Sequence, residues 1–195
     1  MAEERIPPNM DLSNHKEIAK IISWLVMPKV DSVPDGGFIC ETRDVFQARL
    51  SNLFSELRDP LLIAVIGEIG NNSFDHNLGG FRDITGVYFE PLSNGEKIVI
   101  LADRGRGITA TLKNVIPTIS SDIEAVKIAF TEVISGRRPE QRGNGLKFVA
   151  SAVKQSNWQL YFHSGTGVVK IANREISFEK AQENILGCLA VIKYL

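Results

Sequence analysis

The sequence predicts an α+β fold in which helices pack on a sheet as a two-layer sandwich. Helical hydrophobic patterns fill most of the first 76 residues, and the second half holds strand patterns bounded by turn signals. Helices and adjacent strands in this mixture are typical of two-layer domains. With 195 residues, the chain is long enough to fold as one domain without a disulfide or a structural metal.

The helical patterns follow one another along the first part of the chain. Residues 13–28 predict an amphipathic helix that a proline ends, and residues 42–58 predict a second one. A third helix begins at Asp59, which can cap it, with Pro60 in the first helical position. We expect this helix to end near the glycine pair at 79–80.

The strand patterns come next. The segments "ITGVYFEPL" and "EKIVILAD" flank a turn signal at 93–95, which predicts a hairpin. Residues 104–142 predict a long connection around one short helix, and connections of this length are usually functional. A helix from Gly145, a second hairpin that turns at 164–167 and a closing strand at 187–195 complete the prediction.

Composition and charge exclude several classes of protein. A formal net charge of −1 gives no basic surface for nucleic acid or for an anionic membrane. No apolar run approaches the roughly 20 residues that a membrane span needs, and the charged, proline-containing N-terminus does not resemble a signal peptide. Cys40 and Cys188 belong to no ligand pattern. We therefore expect a cytoplasmic protein that binds neither nucleic acid nor membrane.

One stretch of the third helix, "GEIGNNSFDHN" at 67–77, is unusually polar. Glu68, Asn72 and His76 follow the spacing i, i+4, i+8, so they share one side of the helix. Asparagine is a weak helix former, and a merely solvated side would more often carry Lys, Glu or Arg. The helix by itself leaves both interpretations open, a solvated face and a binding site.

A second pattern, "VILADRGRGI", places an aspartate at the end of a strand. Asp103 is followed by Gly105 and Gly107, which allow a sharp turn and the close approach of a ligand. The carboxylate can accept a hydrogen bond from an exocyclic amine. A plain Asp-Gly turn is the alternative.

A third pattern, "RGNGLKFV", places glycines directly before a helix. Gly143 and Gly145 would present free backbone N–H groups and the positive helix end to an anion such as phosphate. Arg142 would add positive charge. An ordinary flexible loop is the alternative here.

In this order, "EIGNNSFDH", "DRGRG" and "GNGL" resemble the N-box and the two glycine boxes of the GHKL ATPases, which include DNA gyrase B, heat-shock chaperone ATPases, histidine kinases and MutL. The resemblance covers about residues 59 to 173. It implies the Bergerat α/β sandwich, with helices on one face of a mixed, mostly antiparallel sheet. Residues 59–195 would form the ATP-binding domain, and residues 1–58 a helical extension packed on it.

The resemblance implies ATP and Mg²⁺ as cofactors, and it implies roles for the residues that match. Asn72 would bind the Mg²⁺, Asp103 would bind the adenine amino group, and Glu68 would act as general base. Residues 108–142 would form the ATP lid. The remaining predicted cofactor-binding residues are His76, Gly105, Gly107, Arg142, Gly143, Asn144, Gly145 and Leu146. Ser73 departs from the small alanine that is usual beside the magnesium asparagine.

Glu68 and His76 on either side of Asn72 are similar to the pattern of the anti-sigma-factor serine kinases. This similarity implies a serine/threonine protein kinase or ATPase that binds ATP and ADP and acts on a regulatory protein partner. One alternative is a nucleotide-gated interaction module with little or no catalysis. Another is the catalytic half of a split histidine kinase. The sequence also leaves a homodimer open.

Overall fold

The computed structural model describes residues 15–77, 80–93, 95–132 and 144–194. Within these ranges the chain forms six α-helices and a five-stranded sheet, so the predicted α+β class and two-layer sandwich are confirmed. The helices are α1 (Lys16–Val26), α2 (Arg43–Leu57), α3 (Pro60–His76), α4 (Gly107–Lys113), α5 (Asp122–Thr131) and α6 (Gly145–Ser156). None of the helices in these ranges is long and apolar enough to cross a bilayer.

The sheet contains strands in the order β1-β2-β3-β5-β4, and each neighbouring pair is antiparallel. The strands are β1 (Ile39–Cys40), β2 (Val87–Leu92), β3 (Lys97–Asp103), β4 (Gln159–Ala172) and β5 (Glu175–Tyr194). The predicted hairpin through 93–95 is confirmed as the β2–β3 pair. Strand β3 lies in the middle of the sheet and pairs with β2 as far as Ala102, while its last residue, Asp103, pairs with Cys188 of β5.

Strand β3 is apolar on both faces. Val99 and Leu101 belong to the main core, which also contains side chains of α2, α3, α5 and α6. Ile98 and Ile100 belong to a second cluster, on the opposite face, that contains side chains of α1. Side chains alternate across a strand, so a strand covered on both faces has an unbroken apolar sequence, such as the "IVILA" of this strand.

Helix α1 lies on the face of the sheet opposite the other helices, whereas the prediction placed the helices on one face. Its side chains Ile18, Ile21 and Leu25 are buried against that second face. An amphipathic pattern predicts that a helix has a buried side, but it does not say which face of a sheet will cover it.

The predicted second hairpin is wrong. Residues 164–167 do not turn back; they form a bulged part of the continuous strand β4, with register shifts against β5 at Ser164, Gly165 and Gly167. The chain reverses instead at Asn173 and Arg174, which have φ values of 51° and 68°. Two central residues with positive φ are typical of a type I′ hairpin turn. The closing strand therefore begins at Glu175, well before the predicted 187.

Candidate functional site

Helix α3 carries the polar side chains of the site and is fixed at its start by Asp59. The Asp59 side chain accepts hydrogen bonds from the backbone N–H groups of Leu61 and Leu62, at 3.1 and 3.0 Å, as the predicted N-cap. The helix ends at His76, before the expected glycine pair, because Asn77 adopts a non-helical conformation as its C-cap. One side of the helix is buried in the main core, so the opposite side remains available for a site.

Asp103, at the end of β3, is buried against the C-terminal part of α3. Its carboxylate accepts hydrogen bonds from Ser73 Oγ at 2.7 Å, Asn77 Nδ2 at 3.2 Å and the backbone N–H of Gly105 at 2.8 Å. Burial raises the pKa of the Asp103 carboxyl, and these three hydrogen bonds oppose that rise. The first and second polar patterns of the sequence therefore meet at this carboxylate.

The glycines after Asp103 are required by close packing. A Cβ atom on Gly105 would overlap the side-chain amide of Asn77. Gly107 has a φ of +76° and begins α4, and a Cβ atom there would lie 2.9 Å from Ser164 Oγ. These two positions exclude other residues for structural reasons, independently of any ligand.

The first residue of α6 lies against the middle of α3. A Cβ atom on Gly145 would overlap the Glu68 carboxylate and would lie 3.6 Å from Asn72 Nδ2. The Asn144 side chain is exposed and does not cap α6, so the first N–H groups of this helix have no side-chain partner there. The third pattern therefore meets the first at Glu68 and Asn72.

A second feature of the α6 start is the amine of Lys147. Its Nζ atom is buried and has no hydrogen-bond partner within the part of the chain that the structure describes. Side chains in a helix lean toward its N-terminus, which brings this ammonium toward the same end of α6. A buried cation without a partner is costly unless an anion or another acceptor joins it.

A cleft lies between these motifs. It is lined by Ile69, Asn72, Ser73, His76, Asn77, Asp103, Gly107, Ile108, Thr111, Leu146, Phe162 and Cys188. Its volume is about 40 Å³, which suffices for about three water molecules.

The structure brings most of the predicted site residues together. Asn72, His76, Asp103, Gly107 and Leu146 line the cleft. The other predicted residues within the described ranges surround it: Glu68 beside Gly145, Gly105 in the turn after β3, and Asn144 before α6. The two remaining predictions, Arg142 and Gly143, lie outside the described residues.

The predicted lid, residues 108–142, is described only as far as residue 132. This part contains α4, which was not predicted, and α5, which was. Asp122 holds it on the sheet by accepting hydrogen bonds from Thr109 Oγ1 at 2.5 Å and from the Thr166 N–H and Oγ1 at 2.8 and 3.0 Å. Burial alone would raise the pKa of Asp122, but these hydrogen bonds outweigh it and lower the pKa below its ordinary value.

Arg104, the residue after Asp103, is fully buried and faces α1. Its guanidinium donates to both carboxylate oxygens of Asp83, at 2.7 and 2.8 Å, and to the backbone carbonyls of Trp24 and Met27 at 2.5 and 2.8 Å. The hydrogen bond from Arg104 holds the pKa of Asp83 below its ordinary value. Arg104 therefore anchors α1 to the sheet.

Two residues that shape the site were not predicted, Asn77 and Ser73. Both contact Asp103, and both stand in the polar stretch that the sequence singled out. Their spacing of four residues places them on one side of α3, and this is the signal that could have indicated a shared partner.

Neither a search for metal-binding groups nor a comparison with known proteins assigns a function to these residues. Among the described residues, no group of three or more His, Cys, Asp or Glu side chains could hold a metal ion. The predicted Mg²⁺ needs no such group, because Mg²⁺ bound with phosphates usually keeps one or two protein ligands. No family model matches the chain, and no curated protein matches it.

Proposed function

We propose that this chain is a Mg-ATP-binding protein of the GHKL type that works in the cytoplasm. Its activity would be that of a serine/threonine protein kinase or ATPase similar to the anti-sigma-factor kinases, acting on a regulatory protein partner. The observation that carries the proposal is the meeting of three distant motifs at one cleft. Asn72 represents the motif on α3, and Asp103 and Gly145, which represent the other two, contact or closely approach the polar side of this helix.

The spacing of the contacts along α3 supports a nucleotide. Asp103 contacts the helix at Ser73 and Asn77, whereas Gly145 approaches it at Glu68 and Asn72. The centres of these two contacts are about five residues apart, or about 8 Å along the helix axis. A nucleoside spans such a distance, with its base at Asp103 and its phosphates toward α6.

The charges at the two ends of the cleft support the same orientation. The Asp103 end offers a carboxylate with only neutral donors around it, which suits an N–H group of a base. The α6 end offers a helix N-terminus without a side-chain cap and the unpartnered ammonium of Lys147, which suit a phosphate.

Two side chains at the phosphate end would carry the chemistry. Asn72 would hold Mg²⁺, which when bound neutralises charge on the phosphates. Glu68 is exposed beside the start of α6. Its carboxylate would take the proton from a serine hydroxyl of the partner, or from water, as that oxygen attacks the terminal phosphorus and ADP leaves.

Glu68→Gln tests this assignment. We expect ATP affinity to be kept and the rate of phosphate release or transfer to fall by about 10²- to 10⁴-fold, because a general base is lost. Affinity is measured by calorimetry and the rate with radiolabelled ATP. Glu56→Gln, an exposed glutamate of α2, is the matched control.

Other outcomes of this experiment would contradict the role of Glu68 or favour one of the two alternative functions. Equal rates in Glu68→Gln and the wild type would remove the role of Glu68. Binding of ATP by the wild type with no phosphate released or transferred would favour the nucleotide-gated module. Alkali-stable phosphate on a histidine of another chain would favour the split histidine kinase.

A further inference from the structure

The carboxylate of Asp103 has almost no hydrogen-bonding capacity left. An ionised carboxylate offers about four lone-pair positions, two on each oxygen. Oδ1 accepts from Asn77 Nδ2 and from the Gly105 N–H, while Oδ2 accepts from Ser73 Oγ alone. A single lone pair, on Oδ2, therefore remains for a ligand.

Asn77 is the residue that fixes which oxygen keeps this lone pair. Its side chain is buried, with 4% of the residue exposed, and it makes two hydrogen bonds. Its Nδ2 donates to Asp103, and its Oδ1 accepts from the backbone N–H of Arg106 at 2.8 Å. The amide orientation is unambiguous, because only the NH₂ group can donate to a carboxylate and only the oxygen can accept from an N–H.

The two bonds of Asn77 connect three parts of the site. They join the end of α3, the last residue of β3 and the turn that leads into α4. Gly105 lies directly beneath the amide, where a Cβ atom would overlap it. Without this bridge, Oδ1 of Asp103 keeps only the Gly105 N–H bond and Oδ2 only the Ser73 Oγ bond, so each oxygen has an unused lone pair for a donor in the cleft.

We propose that Asn77 is a positioning residue for base discrimination. By holding Oδ1 of Asp103, it directs the free lone pair of Oδ2 at a single N–H donor, the exocyclic amine of a purine. This inference rests on the proposed nucleotide site. It is tested by the ratio of the affinities for ATP and for purine riboside triphosphate, which lacks the exocyclic amine.

The experiment measures dissociation constants of both Mg-nucleotides for the wild type, Asn77→Ala and Asn71→Ala. Asn71 is the matched control, since its amide accepts from Gln47 Nε2 of α2 at 2.9 Å. For the wild type we expect a preference of about 10- to 150-fold, the value of one hydrogen bond to a charged group. Asn77→Ala should reduce the preference at least about threefold, and Asn71→Ala should leave it unchanged.

A purely structural role would give a different result. If Asn77→Ala weakens both nucleotides equally and keeps the preference, the inference is overturned while the nucleotide site stands. If the wild type binds neither nucleotide, the proposed function itself fails. Should Asn77→Ala not fold, Asn77→Leu keeps the side-chain size but loses the donor to Asp103, and we expect it to lose the preference as well.

Discussion

Asp103 and Arg104 are consecutive, buried and oppositely charged, yet their hydrogen-bond partners differ in kind. Arg104 faces α1 and finds a carboxylate and two carbonyls within hydrogen-bond distance. Asp103 faces α3 and, among the described residues, finds three neutral donors and no cation. A buried charge that is paired with an opposite charge serves the fold, whereas one that has no ion-pair partner and keeps an unused lone pair at a cleft can serve a ligand.

The comparison predicts its largest effect for Arg104→Met. Removing this cation takes the ion-pair partner from the buried Asp83 carboxylate, which keeps only the N–H groups of Val30 and Ile84 as donors, so the free energy of unfolding should fall by about 3–5 kcal/mol. Urea denaturation measures the change. The exposed Arg106→Met is the control, for which we expect a change of no more than about 0.5 kcal/mol. A loss below about 1 kcal/mol in Arg104→Met would contradict the anchoring role.

A smaller effect should appear in the pH dependence of stability, with opposite signs for two carboxylates. The pKa of Asp103 is raised by burial, so the folded state binds this proton more tightly than the unfolded state does, and stability is lost as the pH rises above about 4. The pKa of Asp83 is lowered by its bond with Arg104, so its stabilising contribution is lost as the pH falls below about 4.

Unfolding free energies of the wild type, Asp103→Asn and Asp83→Asn between pH 3 and pH 8 test these signs. Subtracting each variant from the wild type isolates one carboxylate. We expect the stability of the wild type relative to Asp103→Asn to fall as the pH rises. Its stability relative to Asp83→Asn should fall as the pH falls. If both stability differences change with pH in the same direction, the opposite roles of the two carboxylates are contradicted.

Local patterns predicted the parts of the fold that local interactions determine. The start of α3 followed from Asp59 and Pro60, because an N-cap and a first-turn proline act within one turn. The hairpin through 93–95 followed from its turn residues and the flanking strands. The meeting of the motifs at α3 was predicted only through the resemblance, which supplied the spatial arrangement.

The parts that could not be predicted depend on distant partners. The Ser-Gly-Thr-Gly segment has the composition of a turn, but Asp122 binds Thr166 and holds the segment as a bulge in β4. Nothing beside Arg104 in the sequence identifies Asp83, 21 positions away, as its partner. Such contacts are decided by the packing of the whole chain rather than by local propensity.

The most direct test of the nucleotide site is a calorimetric titration of Mg-ATP into the wild type, Asp103→Asn and Asp75→Asn. Asp75 lies on the same helix but pairs with Arg43 at the surface, so it controls for the loss of a carboxylate. We predict that the wild type and Asp75→Asn bind alike and that Asp103→Asn binds about 10- to 150-fold more weakly. Equal affinity in all three proteins, or no binding by the wild type at millimolar Mg-ATP, would contradict the proposed site.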